Sequence, residues 1–442
     1  MNGVPTLVAL LSGRVVGHVQ QNLQGKLRLT YDPAWQDWPG AYPLSLSMPL
    51  AQREHGDEKI RPYLEGLLPD NDWILRRWGT QFHVSARNPF TLLAHVGEDC
   101  AGAVQFCRPD RVAGLQAEPE SPVRWLTEPE VAETLRELRT ENATGRVAAD
   151  PGYFSLPGAQ PKTALLYQDG RWGVPSGRVP TTHILKPPLG DLDGFAENEH
   201  LCLRLAGALG LPVARSEVMR FADEVAIVVE RYDRVAVGGR IARVHQEDFC
   251  QALGVPPRIK YQAEGGPGAG AMAAVLREFS TAADEDLDTL LRALALNWVI
   301  GGTDAHAKNF SLLIAARQVR LAPLYDVASV LPYPRRIPLQ KANLALRVGG
   351  EYRLAKIGRR HWERLVTEMG LGTGAMERVR DVVREVPGRM EDLCAAARGE
   401  GIDHPVVDVL KDAVRRNAGV CLAALDRESD GAGSFVRGGL SP

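Results

Sequence analysis

Apolar and polar positions alternate along the start of the chain. "TLVALL", "RVVGHV" and "KLRLTY" read as short strands broken at "SGR" and "NLQG", a turn-and-hairpin rhythm. "RPYLEGLLPDNDWILRRW" reads as helical around Pro69, and "GAVQFC" as a strand closing this region. Residues 108–124, "RPDRVAGLQAEPESPVR", are polar and proline-rich, a candidate boundary. "EPEVAETLREL" (128–138) has the acidic start of a helix.

From about residue 153 the order of elements becomes informative. "TALLY" and "RWGV" flank the turn "QDG" as a hairpin, and "TTHIL" is a third strand ending at Lys186 before Pro187-Pro188. "AENEHLCLRLAGALG" is a helix closed by Gly210. "SEVMRF" and "VAIVVE" form another hairpin running into "RYDR". Helical segments then dominate: "HQEDFCQALG", and, beyond the glycine-rich loop "EGGPGAG", the helix "DLDTLLRALALNWVIGG". In the latter, Leu287, Leu290, Leu291, Leu294, Ala295 and Trp298 recur at helical spacing, so one face is buried. A small hairpin, "FSLLI" and "QVRLA", follows, and then "PLYDVAS".

The expected class is α+β, a protein-kinase-like bilobal fold with a small β-rich lobe holding one helix and a larger helical lobe. A β-rich N-terminal subdomain precedes it. The expected division is 1–110 N-terminal subdomain, 111–150 linker and helix, 151–234 small lobe and hinge, 235–425 large lobe, and 426–442 a disordered glycine- and serine-rich tail.

Composition narrows the setting. The chain has 442 residues, 45% hydrophobic and 24% charged, ordinary for a globular protein with a sizeable core. A formal charge of -2 argues against a large basic nucleic-acid surface. The six cysteines form no CxxC pair and read as reduced core thiols. The N-terminus has no basic region ahead of an uninterrupted apolar run, and no segment reaches membrane length, so a cytoplasmic protein is expected.

The chemistry concentrates in "GGTDAHAKNFSLLI", where Asp304, His306, Lys308 and Asn309 crowd between two apolar runs. Phosphoryl transfer from ATP needs a cation on the phosphates, oxygen ligands for magnesium and a carboxylate near the attacking hydroxyl. Protein kinases supply a phosphate loop, a strand lysine, a helix glutamate and a hinge, then a loop with the base Asp and a metal-binding Asn, a hairpin, and a second metal Asp. This chain offers "SLPGAQPK" (155–162), with Gly158, Ala159, Gln160 and Lys162, then Lys186, then Glu197 and Glu199. "VVERYDR" follows as hinge, where the backbone of Glu230 and Tyr232 could meet an adenine edge. Asp304 and Asn309 stand five apart, as in the kinase loop, and Asp326 follows the hairpin.

In these roles Asp304 accepts the hydroxyl proton, Lys308 neutralises the transferring phosphate, and Asn309 and Asp326 are oxygen ligands for Mg2+. His306, on the nucleotide side, orients the loop backbone rather than moving a proton. Each residue alone has a plainer reading. Lys186 could be a solvated charge, Asp326 a helix N-cap, the glutamates macrodipole residues, and the loop a merely capped turn. Order and spacing favour a kinase jointly.

The same segments carry a resemblance. "SLPGAQPKTALL", "THILKPP", "ENEHLCLRLAGALGL", "VVERYDR", "HQEDFCQALG", "KYQAEGGPG", "GGTDAHAKNFSLLI" and "LAPLYDVAS" resemble the motifs of HipA, the serine/threonine-kinase toxin of a type II toxin–antitoxin system. "LEGLLPDN" and "GEDCAGAVQF" resemble its N-terminal subdomain, and the likeness runs over roughly residues 1–390. It implies an ATP- and magnesium-dependent kinase that phosphorylates glutamyl-tRNA synthetase on a serine. It also implies a small helix-turn-helix antitoxin that binds the toxin and operator DNA. By motif, Asp304 would be the base, Asn309 and Asp326 the metal ligands, Lys186 the phosphate lysine, Glu230 and Tyr232 the hinge, and Ser155 a self-phosphorylated serine that silences the enzyme. The loop departs from the expected pattern in carrying Pro157 and Pro161 beside one glycine, Gly158, which stiffens it.

Three other functions compete. A small-molecule or lipid kinase would use the same machinery. An inactive kinase-like partner of a DNA-binding repressor would be expected to lack some of Lys186, Asp304, Asn309 and Asp326. A metal-dependent hydrolase would need a partner histidine for His306, which the spacing does not provide.

Overall fold

The computed structural model describes residues 4–117, 123–144, 155–176, 179–188, 190 and 192–427, without the side chains of 140–144. The expected tail lies outside these residues from 428 onward.

The alternation at the start of the chain builds an antiparallel five-stranded sheet. Its order is Glu54–His55, Leu27–Tyr31, Arg14–Gln21, Thr6–Leu11 and Val104–Cys107, so "GAVQFC" closes it beside the first strand. The register pairs Thr6 with Gln20, and a bulge falls between Ala9 and Leu10. Leu7, Leu29 and Val19 face helices Asp57–Gly66 and Pro89–Val96 in one apolar core. Helix Asp57–Gly66 ends before Pro69, and Asn71 caps helix Asp72–Gln81 by accepting the Trp73 N–H. The turn between these helices, carrying Asp70, reaches the next domain.

The small lobe is a six-stranded sheet. Its order is Ser216–Phe221, Glu224–Glu230, His183–Lys186, Thr163–Gln168, Arg171–Pro175 and Val123–Leu126. The last strand comes from the segment before the phosphate loop and pairs with Arg171–Pro175. Helix Glu128–Thr144 covers one face through Val131 and Leu135. Helix Phe195–Ala208 covers the other, its Leu201 and Leu205 in one core with Ile227 and Val229. The strand holding Lys186 is therefore paired on both edges and covered on both faces, which fixes its side chains.

The large lobe gathers helices Ala269–Phe279, Ala283–Ile300, Arg359–Glu368, Ala375–Gly399 and Val406–Asp426 around one core. Helix Ala283–Ile300 is nearly all buried over its second half and ends at Gly301, whose φ of 64° suits a glycine C-cap. Its Trp298 ring lies 5.5 Å from that of Trp362. Strands Ser311–Ala315 and Gln318–Leu321 form the expected hairpin just beyond the loop.

One expectation needs correction, and the plainer readings of Asp326 and Lys186 fall away. "HQED" is a strand, His245–Asp248, pairing with Ser311–Ala315. The helix begins only at Phe249, where Asp248 and Gln251 form a capping box. The glycine-rich loop is closely packed: a Cβ on Gly266 would lie 2.2 Å from the Ile259 carbonyl oxygen, and Gly268 opens helix Ala269–Phe279. Asp326 caps nothing, because no helix follows it before Leu354. Lys186 is not a solvated charge but 4% exposed. All six cysteines are buried and free. No helix among the described residues is long and apolar enough to cross a membrane.

Candidate active site

Between the lobes lies a cleft with an apolar end and a charged end. Leu156, Ile184, Ala214, Val229, Tyr232 and Tyr325 line the first; Lys162, Lys186, Glu199, Lys308, Asn309 and Asp326 line the second.

Lys186 organises the charged end. Its Nζ donates to Glu199 Oε1 at 2.7 Å and to Asp326 Oδ1. Burial disfavours the ammonium, but the carboxylates of Asp326 and Glu199 outweigh it and raise the Lys186 pKa. Burial likewise works against the Asp326 carboxylate, yet Lys186 and Lys162 hold its pKa well below the usual range. Glu199 goes the other way: burial pushes its pKa up despite Lys186. Removing one member of such a buried pair typically costs about 3–5 kcal/mol. Asp326 also sits at φ 53°, a left-handed conformation uncommon for a non-glycine residue and frequent at functional sites.

Opposite lies the loop Asp304–Asn309. Its turn is closed by the His306 N–H and the Asn309 Nδ2, both donating to the Asp304 carbonyl at 2.8 Å. The Asp304 side chain is 70% exposed at the cleft mouth. Tyr261 donates its hydroxyl to Asp304 Oδ1 at 2.6 Å, leaving Oδ2 for a second donor. His306 is buried edge-on to the Tyr261 ring, with centroids 5.0 Å apart. Burial lowers its pKa to about 4, so it is neutral at pH 7 and a weak base, and its buried Nδ1 has no hydrogen-bond partner. Beneath the loop, the Tyr325 hydroxyl donates to the Lys308 carbonyl at 2.7 Å and meets Ser311 Oγ at 2.6 Å. The residue before Asp326 is thereby tied to the loop.

The phosphate-loop candidate folds over the cleft. Gly158 has φ 109°, and a Cβ there would lie 2.4 Å from Lys162 Nζ, so the position requires glycine. Lys162 donates to the Pro157 carbonyl at 2.8 Å, and Gln160 Nε2 to the Pro187 carbonyl at 3.4 Å; Ala159 is exposed. Ser155 is fully buried, its hydroxyl donated to the Leu67 carbonyl at 2.8 Å and its N–H to the Asp99 carbonyl. At the hinge, the Glu230 N–H is spent on the Arg215 carbonyl at 2.9 Å, so of the Glu230 backbone groups its carbonyl is the one left for an adenine edge. The Tyr232 ring stacks on Tyr325 at 5.8 Å.

Some cleft residues were not assigned a role from the sequence. Asp70 receives Lys308 and Lys260 at 2.5 and 2.7 Å, so the Lys308 ammonium rests on a carboxylate from the N-terminal subdomain. Tyr261 reaches Asp304 from a turn that follows helix Phe249–Leu253. The hinge is underpinned by Arg231, which bonds Asp233, Thr181 and the Cys100 carbonyl, all buried. "LLPDN" and "KYQ" stood among the resembling segments, but no spacing rule joins residues 190 positions apart.

The donor set bears on magnesium. Asn309 gives its Nδ2 to the Asp304 carbonyl, which leaves Oδ1 as its free oxygen, and Asp326 keeps one oxygen beyond Lys186. Among the described residues no group of three His, Cys, Asp or Glu could hold a metal by itself. Two hard oxygens fit magnesium, whose octahedron phosphates and water complete, better than a metal caged by protein alone.

A β lobe over a helical lobe, with a buried strand lysine on a helix glutamate and an Asp/Asn loop opposite, places the chain in the protein-kinase-like class. The HipA-like C-terminal domain family matches residues 154–392, more than half of the chain, and the HipA N-terminal domain family matches residues 7–107. The chain therefore belongs to the HipA family and is a kinase by that membership. It is 38% identical over 368 residues, 83% of this chain and 86% of the relative, to a Sinorhizobium fredii protein named "Putative kinase Y4mE". It is 30% identical over 321 residues, 69% of this chain and 70% of the relative, to the serine/threonine-protein kinase toxin HipA of Shewanella oneidensis. Among solved structures it resembles the Shewanella oneidensis MR-1 complex of HipA, HipB and operator DNA. The TM-score is 0.78 at 24% identity, covering 95% of this chain and 96% of the other, a likeness of fold.

Proposed function

We propose that this kinase transfers the γ-phosphoryl of Mg-ATP to a serine or threonine of a protein and is the toxin of a toxin–antitoxin module. The observation that carries the transfer chemistry is Lys186 bound at once to Glu199 and Asp326, across the cleft from Asp304 and Asn309. Lys186 and Lys162 hold the phosphates beneath Gly158–Gln160, while adenine lies against Ile184 and Tyr325 beside the Glu230–Tyr232 hinge. Asn309 and Asp326 would hold the magnesium, which when bound supplies charge neutralisation between the phosphates. Asp304 Oδ2 accepts the proton of the attacking hydroxyl, a contribution of about 10²–10⁴-fold. The new bond joins that hydroxyl oxygen to the γ-phosphorus, and the bond to the bridging oxygen of ADP breaks.

The 70% exposure of Asp304 favours a side chain presented by another protein over a small molecule that must be enclosed. By analogy with the Shewanella oneidensis toxin HipA and its complex with HipB and operator DNA, the partner is a small helix-turn-helix antitoxin, with operator DNA reached through it. Glutamyl-tRNA synthetase, in the cytoplasm, is the acceptor we propose. Ser155 is the self-phosphorylation site. A phosphate there adds about -1.5 to -2 charges, which a fully buried position cannot hold, so modification and departure of the segment are one event that silences the enzyme.

Calorimetry separates the roles. Asp304→Ala should bind Mg-ATP normally without turning it over, whereas Asp326→Ala should lose the magnesium-dependent part of binding. Turnover by Asp304→Ala would overturn the base assignment.

A further inference from the structure

Asp70 lies in the domain matched as the HipA N-terminal domain, yet it lines the cleft between the kinase lobes. Its Oδ1 accepts from Lys308 Nζ at 2.5 Å and its Oδ2 from Lys260 Nζ at 2.7 Å. The side chains of Asp70, Lys308 and Lys260 are only 10%, 3% and 12% exposed. The Asp70 N–H donates to the Gly158 carbonyl at 3.1 Å, so the same residue anchors the phosphate loop.

These bonds converge on the loop that begins at Asp304. Lys308 is four residues further along it. Lys260 precedes Tyr261, whose hydroxyl holds Asp304 Oδ1 at 2.6 Å. On the other side of Tyr261, Gln262 Oε1 accepts the Arg347 N–H at 2.9 Å, so the tyrosine is held from both neighbours. One carboxylate thus meets the loop twice, at Lys308 directly and at Asp304 through Lys260 and Tyr261.

We propose that Asp70 is a positioning residue for phosphoryl transfer, bracing Lys308 and Asp304 from the N-terminal subdomain, so that the kinase site is incomplete without that subdomain. The proposal rests on the reading of Asp304 as base and Lys308 as phosphate cation. A carboxylate beside a triphosphate site repels the nucleotide, and a cross-link between subdomains needs no charge there. What the charge adds is direction: without it the Lys308 ammonium follows the nearest phosphate oxygen instead of standing where charge develops during transfer.

The expected signature is a split between kcat and KM. Asp70→Asn keeps the shape and an acceptor oxygen but removes the charge. ADP formation from Mg-ATP, with glutamyl-tRNA synthetase supplied as acceptor, should show kcat lowered about 10- to 100-fold and KM for ATP unchanged or lower. Tyr261→Phe should lower kcat in the same manner, and the double variant should lose less than the product of the single losses. Should Asp70→Asn fail to fold, Lys260→Met, which leaves the Asp70–Lys308 pair, should lower kcat without raising KM. Wild-type kcat in Asp70→Asn would overturn the proposal, as would a raised KM with a lowered melting temperature, or independent effects of Asp70 and Tyr261. Asp304→Ala is measured alongside. If it is inactive while Asp70→Asn is normal, this inference fails alone; if Asp304→Ala is active, the underlying kinase assignment fails.

Discussion

Lys162 should give the enzyme an alkaline limit. Burial pulls its pKa down to about 8, against the opposing pull of the Asp326 carboxylate. Its ammonium faces the charged end of the cleft, and only the protonated form attracts a triphosphate. With that pKa the charged fraction falls from about 0.9 at pH 7 to about 0.1 at pH 9. A hydrogen bond to a charged group contributes about 1.5–3 kcal/mol, so the bond is strong enough for the charged fraction to set the rate. The expected fall in kcat/KM for ATP is therefore about tenfold between pH 7 and 9. That ratio, measured from initial rates across pH, reports groups of the free enzyme. Glu247 lines the same cleft, and burial raises its pKa to about 8 as well, so the profile is repeated in Glu247→Gln. The fall should persist there and vanish in Lys162→Met, which should be low at every pH. A flat wild-type profile, or a fall that survives in Lys162→Met, would refute the reasoning.

Glu247 makes its own prediction. Its Oε1 accepts the Leu46 N–H at 2.8 Å, while its buried Oε2 has no hydrogen-bond partner. The folded chain keeps this carboxyl protonated up to about pH 8, whereas the unfolded chain releases the proton near the ordinary 4.5. Stability should fall as pH rises through that window, and Glu247→Gln should flatten the slope and gain about 3 kcal/mol at pH 7 in urea unfolding. An unchanged slope would reject the assignment. Lys186→Ala should abolish Mg-ATP turnover and destabilise the fold by about 3–5 kcal/mol, read by ADP formation and thermal melting; normal turnover would remove Lys186 from the site. Asp326→Ala should make nucleotide affinity insensitive to magnesium, and retained magnesium dependence in titrations would remove Asp326 as a ligand.

Where local pattern decides structure, the sequence was legible. The hairpins of the N-terminal sheet follow from period-two alternation closed by Gly13 and Gly25, whose φ angles of 78° and 77° their turns require. The long helix before the loop follows from its apolar spacing and Gly301. The order lysine, glutamate, aspartate loop and second aspartate was readable, and the structure brings Lys186, Glu199 and Asp326 into contact. Long-range partners were not readable. Asp70 meets Lys308 across 238 positions, and nothing near either residue marks the other. Helix Ala375–Gly399 runs through Pro387, a residue that locally argues against it, because the large-lobe core buries its Val379, Val383 and Val386 face. "HQEDFCQALG" reads as one helix because Asp248 and Gln251 suit a helix start, but the pairing that makes "HQED" a strand depends on Ser311–Ala315 far along the chain.

The central claim is that the Asp304 loop carries phosphoryl transfer. The most direct measurement is the intact mass of the purified protein after incubation with magnesium and ATP, beside Asp304→Ala, with the modified peptide mapped. The account predicts one added phosphate at Ser155 in the wild type and none in Asp304→Ala. The same phosphate gain in both proteins would contradict it.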